Sequence, residues 1–124
     1  MADTPEALIE EFTAGFLTGD AAAMADSYED DAILVLAGPG IVAEGKDAIR
    51  ETWAGMAAMG QPIDFKIAAR PVRADGDLAV AHLTATALVK SADTGQEDTM
   101  DIRATEVMHR GVDGQWRYVI DHAN

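Results

Sequence analysis

The chain has 124 residues, 48% of them apolar, and the expected organisation is one compact domain over residues 1–124 that buries roughly two-thirds of its unfolded surface. Nine Lys and Arg against 22 Asp and Glu leave a net charge of −13, which repels phosphate backbones and anionic headgroups, so neither nucleic acid nor a membrane surface is expected as a partner. There is no cysteine, which removes disulfides, thiolate metal sites and thiol nucleophiles. No stretch of about 18 apolar residues and no basic N-terminal region with an apolar run is present, so a cytoplasmic protein is expected.

In chain order, "DTPEALIEEFTAGFLTGD" predicts a helix with Thr4 as N-cap, Pro5 in its first turn and Gly19 at its end. Leu8, Ile9, Phe12 and Phe16 share one face of it. Asp20 then caps a short second helix, "AAAMADSY", on which Met24 and Tyr28 lie four apart. "DDAILVLAG" reads as a strand, and "GPGIVAEG" as a loop. A third helix is expected over "GKDAIRETWAGMAAMG", with Ile49, Trp53, Met56 and Gly60 at helical spacing.

From Gln61 the apolar period changes to two. Two long strands joined at Asp75-Gly76-Asp77 are predicted, with Pro71 placing the first near an edge or a bulge, and "EDTMDIRATEVMHR" and "WRYVIDH" supply two more. Helices ahead of a run of antiparallel hairpins mean an α+β fold with the helices on one face of a curved sheet.

Alternation on the strand of Asp98–Arg110 places Met100, Ile102, Ala104, Glu106 and Met108 on one face, with Glu106 the odd member of an apolar set. A two-residue turn at Asp113-Gly114 would set Glu106 opposite Asp121 and Met108 opposite Val119. Two carboxyls so opposed have Cβ atoms about 5 Å apart. Burial and mutual repulsion then favour one protonated acid beside one carboxylate, the arrangement that general acid–base chemistry uses. The alternatives are that Glu106 pairs with Arg103, Arg110 or Arg117, or that Asp121 is solvated at a strand end. His82, in line with Val80, Thr84 and Thr86, belongs either to a cavity lining or to the solvated side of its strand. The histidines lie too far apart for a metal site, and no phosphate loop or serine nucleophile elbow is present, so no metal and no cofactor are expected.

The order of "TPEALIEEFTAGFLTGDAAAMADSYEDDAILV", "GKDAIRETW" and "DGQWRYVIDH" resembles the NTF2-like superfamily, and within it the SnoaL-like and DUF4440-type small proteins. The resemblance covers nearly the whole chain. It implies a cone, a strongly bent, mainly antiparallel sheet wrapped around three N-terminal helices, with a pocket on the concave face and dimerisation through the sheet. Against ketosteroid isomerase, the resemblance puts Phe12 where that enzyme has its tyrosine donor and Leu36 where it has its aspartate base, so that mechanism is not expected. It puts Glu106 at the position of the protonated, oxyanion-binding aspartate, and His82, Thr84, Val119 and Asp121 on the pocket wall.

The combined expectation is a pocket for a small apolar or aromatic molecule in a homodimer. Glu106, Asp121 and His82 are the candidate catalytic residues of an isomerase, cyclase, dehydratase or hydrolase. Phe12, Phe16, Tyr28, Leu36, Trp53, Met56, Thr84, Met108 and Val119 are its candidate ligand contacts. A non-catalytic ligand-binding or association module is the alternative.

Overall fold

The computed structural model describes residues 2–124. Helix α1 (Pro5–Thr18) starts where Thr4 Oγ1 accepts the Ala7 N–H at 3.0 Å, and it stops at Gly19, whose φ of 69° reverses the chain at no steric cost. Helix α2 (Ala21–Asp26) is capped by Asp20. It is shorter than its sequence predicts, because the Tyr118 N–H takes the Ser27 carbonyl and pulls the chain into the sheet. Tyr28 therefore opens strand β1 (Tyr28–Leu36) instead of sharing a helical face with Met24.

The segment read as a loop contains a short strand, β2 (Ile41–Glu44), antiparallel to β1; its Gly/Pro-rich flank hid it. Helix α3 (Lys46–Met59) follows, and Gly60 begins strand β3 (Gly60–Ala69) rather than extending the helix. A Cβ on Gly60 would lie 2.9 Å from the Val89 side chain, so only glycine lets β3 enter there without a shift. Strand β4 (Val72–Asp75), the two long strands β5 (Leu78–Ser91) and β6 (Glu97–Arg110), and β7 (Trp116–Ala123) complete the chain.

The strands form one curved, unclosed sheet in the order β2-β1-β7-β6-β5-β3, with β4 also on β5. Strands β3 and β4 share one edge of β5, separated at Arg70-Pro71, the break that the proline announced. Among the described residues, every pairing is antiparallel except β1 with β7. The three helices cover the inner face. There β5 contributes Ala79, Ala81, Leu83, Ala85 and Ala87, mostly small side chains that let helices lie close to a concave surface. Among the described residues, no helix is long and apolar enough to cross a membrane.

Candidate functional site

Register places the site. Across the inner face, Leu34, Asp121, Glu106 and Ala81 form one rung, and Tyr28, Tyr118, Met108 and Ala79 form the next. Two irregularities bring these side chains together. Strand β1 carries extra residues between Tyr28 and Ile33, and β7 bulges at Val119, between the Tyr118–Met108 and Ile120–Val107 pairs. A bulge shifts the alternation by one residue, so Tyr118 and Asp121 both point inward although an odd number of positions separates them.

The result is a buried polar cluster. Glu106 is 3% exposed, Asp121 4%, and Tyr28 and Tyr118 are fully enclosed. The Trp53 indole Nε1–H donates to the Tyr28 hydroxyl at 3.3 Å, and Tyr28 donates in turn to Asp121 Oδ2 at 2.6 Å. Glu106 Oε1 and the Tyr118 hydroxyl, both buried, have no hydrogen-bond partner among the described residues. Arginines are engaged elsewhere, Arg110 with Asp77 and Arg117 with Asp113, and no ion pair among the described residues involves Glu106.

Both carboxyls consequently hold their protons more tightly than in water. Burial, then the charge of Asp121, pushes Glu106 up to about 8, with the neighbouring Tyr118 hydroxyl pulling it partly back without closing a hydrogen bond. Burial raises Asp121 to about 6, against the Tyr28 hydrogen bond, which favours its charged form. Near neutrality the pair therefore holds one proton and one charge between them, and the hydrogen bond from Tyr28 favours the charge on Asp121. Such a pair contains both an acid and a base.

A cleft of about 490 Å³ opens at the other end of the concave face, between the helices and the first residues of β6. Of the expected contacts, Phe16, Leu36, Trp53 and Met56 line it. Neither the two carboxyls nor the two tyrosines do. Phe12 stands against this cluster, its ring centroid 5.5 Å from Trp53, 5.8 Å from Tyr118 and 6.1 Å from Tyr28. Trp53 belongs to both regions, with its ring in the cleft wall and its N–H on Tyr28. Met108 is buried opposite Tyr118, and Val119 is the half-buried bulge residue rather than the partner of Met108.

His82 and Thr84 do not face inward. They alternate with the buried alanines of β5, and His82 Nδ1 meets Thr105 Oγ1 at 3.1 Å on the outer face. The apolar set of the strand takes the helices because enclosing a histidine and two threonines there would leave their polar groups to be satisfied in a dry interior. Sequence reasoning missed Tyr118, because strict alternation from Asp121 turns it outward. It also missed Met24, Met59 and Asp98 in the cleft wall; Asp98 has the parity of Met100 and Ile102, and that signal was present in the sequence.

The model of the SnoaL-like domain matches residues 6–123. The chain belongs to the SnoaL-like family. No curated protein matches it. Among solved structures, a ketosteroid isomerase-like protein from Erwinia carotovora atroseptica SCRI1043 superposes with a TM-score of 0.83 at 20% identity, over 95% of this chain and 90% of that one. A candidate dehydratase of the NTF2-like family from Streptomyces avermitilis gives 0.82 at 19% identity, over 94% and 90%. A candidate calcium/calmodulin-dependent protein kinase II association domain from Xanthomonas campestris gives 0.81 at 24% identity, over 95% and 82%. These likenesses establish the NTF2-like fold of this SnoaL-like chain; proteins of that one shape carry labels as different as isomerase and association domain.

Proposed function

We propose that this SnoaL-like protein binds a small, predominantly apolar molecule in the cleft at the open end of the sheet. The observation that carries this reading is the cleft itself. Its volume, about 490 Å³, falls within the ordinary range for small-molecule sites, and its wall is built from Phe16, Leu36, Trp53 and methionines. Ala57, also in that wall, gives the test. Ala57→Phe is expected to weaken binding of a naphthalene-type probe at least about tenfold, read by calorimetry, because a phenyl ring occupies the volume the probe needs. Unchanged affinity would put the probe elsewhere.

A second reading is favoured by the unpartnered Glu106 Oε1 and Tyr118 hydroxyl, since buried polar groups are rarely left unsatisfied without a use. In it, Glu106 donates a proton and Asp121 accepts one from a substrate that passes Phe12, in an isomerase, cyclase, dehydratase or hydrolase reaction that needs no cofactor. The isomerase-like and dehydratase labels of two structural neighbours accord with this. Turnover lost in Glu106→Gln with the cleft still binding would support it, and turnover retained would refute it.

The outer face supports self-association through the sheet. Ile33, Ile120, Val107 and Val80 lie in register across four strands as one apolar row, with Ile120 39% and Val80 40% exposed. A second copy applied about a two-fold axis would cover this row. Sedimentation is expected to show a dimer that Ile120→Glu converts to monomer, and a wild-type monomer at every concentration would refute the assembly.

A further inference from the structure

We infer, building on the cleft-binding reading above, that the cleft selects a hydrophobic cation, an apolar or aromatic body whose protonated amine sits against the carboxylate of Asp98. Among the described residues, Asp98 is the one ionisable side chain in the cleft wall, and no lysine, arginine or histidine lines it. The carboxylate is placed by register. On the inner-face alternation of β6, Asp98 precedes Met100 and Ile102, and it opposes Val89, another wall residue, near the start of the strand. It therefore stands at the mouth, where the apolar wall meets solvent and a charge keeps its hydration. Its oxygen Oδ1 accepts only a long contact, 3.4 Å, from Gln96 Nε2, and no ion pair among the described residues involves it.

Three classes of ligand respond differently to this arrangement. A carboxylate or phosphate would enter a chamber with no counter-charge, past Asp98, on a chain of net charge −13. A neutral molecule gains burial but no charge attraction from Asp98. A cation with an apolar body gains both the burial and the attraction, and the field of the whole acidic chain draws it in. The shape of the body is left permissive. Met24, Met56, Met59 and Met100 all line the cleft, and thioether side chains repack around different outlines and contact aromatic faces favourably. Selection thus rests on charge and apolarity more than on a fitted shape.

The test uses three matched probes, naphthylmethylamine, naphthylmethanol and naphthoate, titrated calorimetrically into the wild-type chain, Asp98→Asn and Asp101→Asn. Asp101 lies on the opposite face of the same strand and removes the same charge from the total. The wild type is expected to bind the amine about tenfold tighter than the alcohol and the naphthoate least, with the amine's advantage shrinking as ionic strength rises. Asp98→Asn is expected to bring amine and alcohol to equal affinity, while Asp101→Asn leaves the advantage in place. The indole N–H resonance of Trp53, and not that of Trp116 at the far end of the sheet, should move on binding. Amine preference that survives in Asp98→Asn, or naphthoate bound as tightly as the amine, overturns the inference and leaves the cleft a neutral apolar site. Failure of all three probes overturns both the inference and the binding reading.

Discussion

Replacing Glu106 by Gln is expected to stabilise the protein, and to do so far more at pH 8 than at pH 5. A carboxyl whose folded pKa is raised binds its proton more tightly in the native state than in the unfolded chain. Its contribution to stability is therefore fully present below the unfolded value and is lost as pH rises through the folded one. For Glu106 that window runs from 4.5 to about 8. By pH 7 the cost to the wild type is on the order of 3 kcal/mol, since each unit of displacement is worth about 1.4 kcal/mol. Glutamine has a similar shape, never ionises, and offers an amide N–H to the Asp121 carboxylate across the rung. The melting temperature should rise by about 10 °C at pH 8 and by little at pH 5. An equal shift at both pH values would mean that Glu106 titrates normally.

The same substitution separates stability from activity. If the pair transfers protons, Glu106→Gln should lower kcat by about 10²- to 10⁴-fold while the protein becomes more stable, the usual exchange where a buried charge is kept for its chemistry. A binding-only protein would show the gain alone. Calorimetry across pH and a turnover assay on one variant thus report on the two readings of the site independently.

The opposition of Glu106 and Asp121 was legible from the sequence, although by a compensation that the sequence does not display. The connection at residues 111–115 sets His109 opposite Arg117 and Met108 opposite Tyr118, one residue away from the register of a two-residue turn. The bulge at Val119 then restores the expected pairing at Val107–Ile120 and Glu106–Asp121. The bulge residue is an ordinary valine with no glycine or proline to announce it, and so Tyr118, which it turns inward, could not be found by alternation. Strand β2 was missed for a related reason. It has four residues, lies at an edge with Val42 exposed, and its pairing with β1 is a long-range fact absent from local composition. His82 teaches the reverse. Alternation left its face open, the family resemblance turned it inward, and the alanines of its own strand decide the matter by occupying the inner face. The α+β class, the three helices and the antiparallel run followed from periodicity and capping, because these signals are local and physically strong.

Tyr28→Phe is expected to act with the opposite pH dependence from Glu106→Gln. The Tyr28 hydroxyl is the hydrogen-bond donor to Asp121, and at 2.6 Å it favours the charged form of a fully enclosed carboxylate. Without it, Asp121 is left ionised in a dry site at pH 8, or it must take up a proton at a cost that grows with pH. The loss should be about 2 to 4 kcal/mol at pH 8, in line with the removal of one partner from a buried charged hydrogen bond. It should shrink below about pH 5, where the wild-type carboxyl is itself protonated and its bond to Tyr28 is one between neutral groups. Trp53 also loses the oxygen that its indole N–H meets, which adds a smaller loss at every pH. Denaturant unfolding at pH 5 and pH 8 measures both parts. The decisive comparison is with Asp121→Asn, which removes the charge. In that background the pH-dependent part of the Tyr28→Phe effect should vanish, whereas an effect that persisted undiminished would show that Tyr28 stabilises the site by packing alone and that the charge on Asp121 does not depend on it.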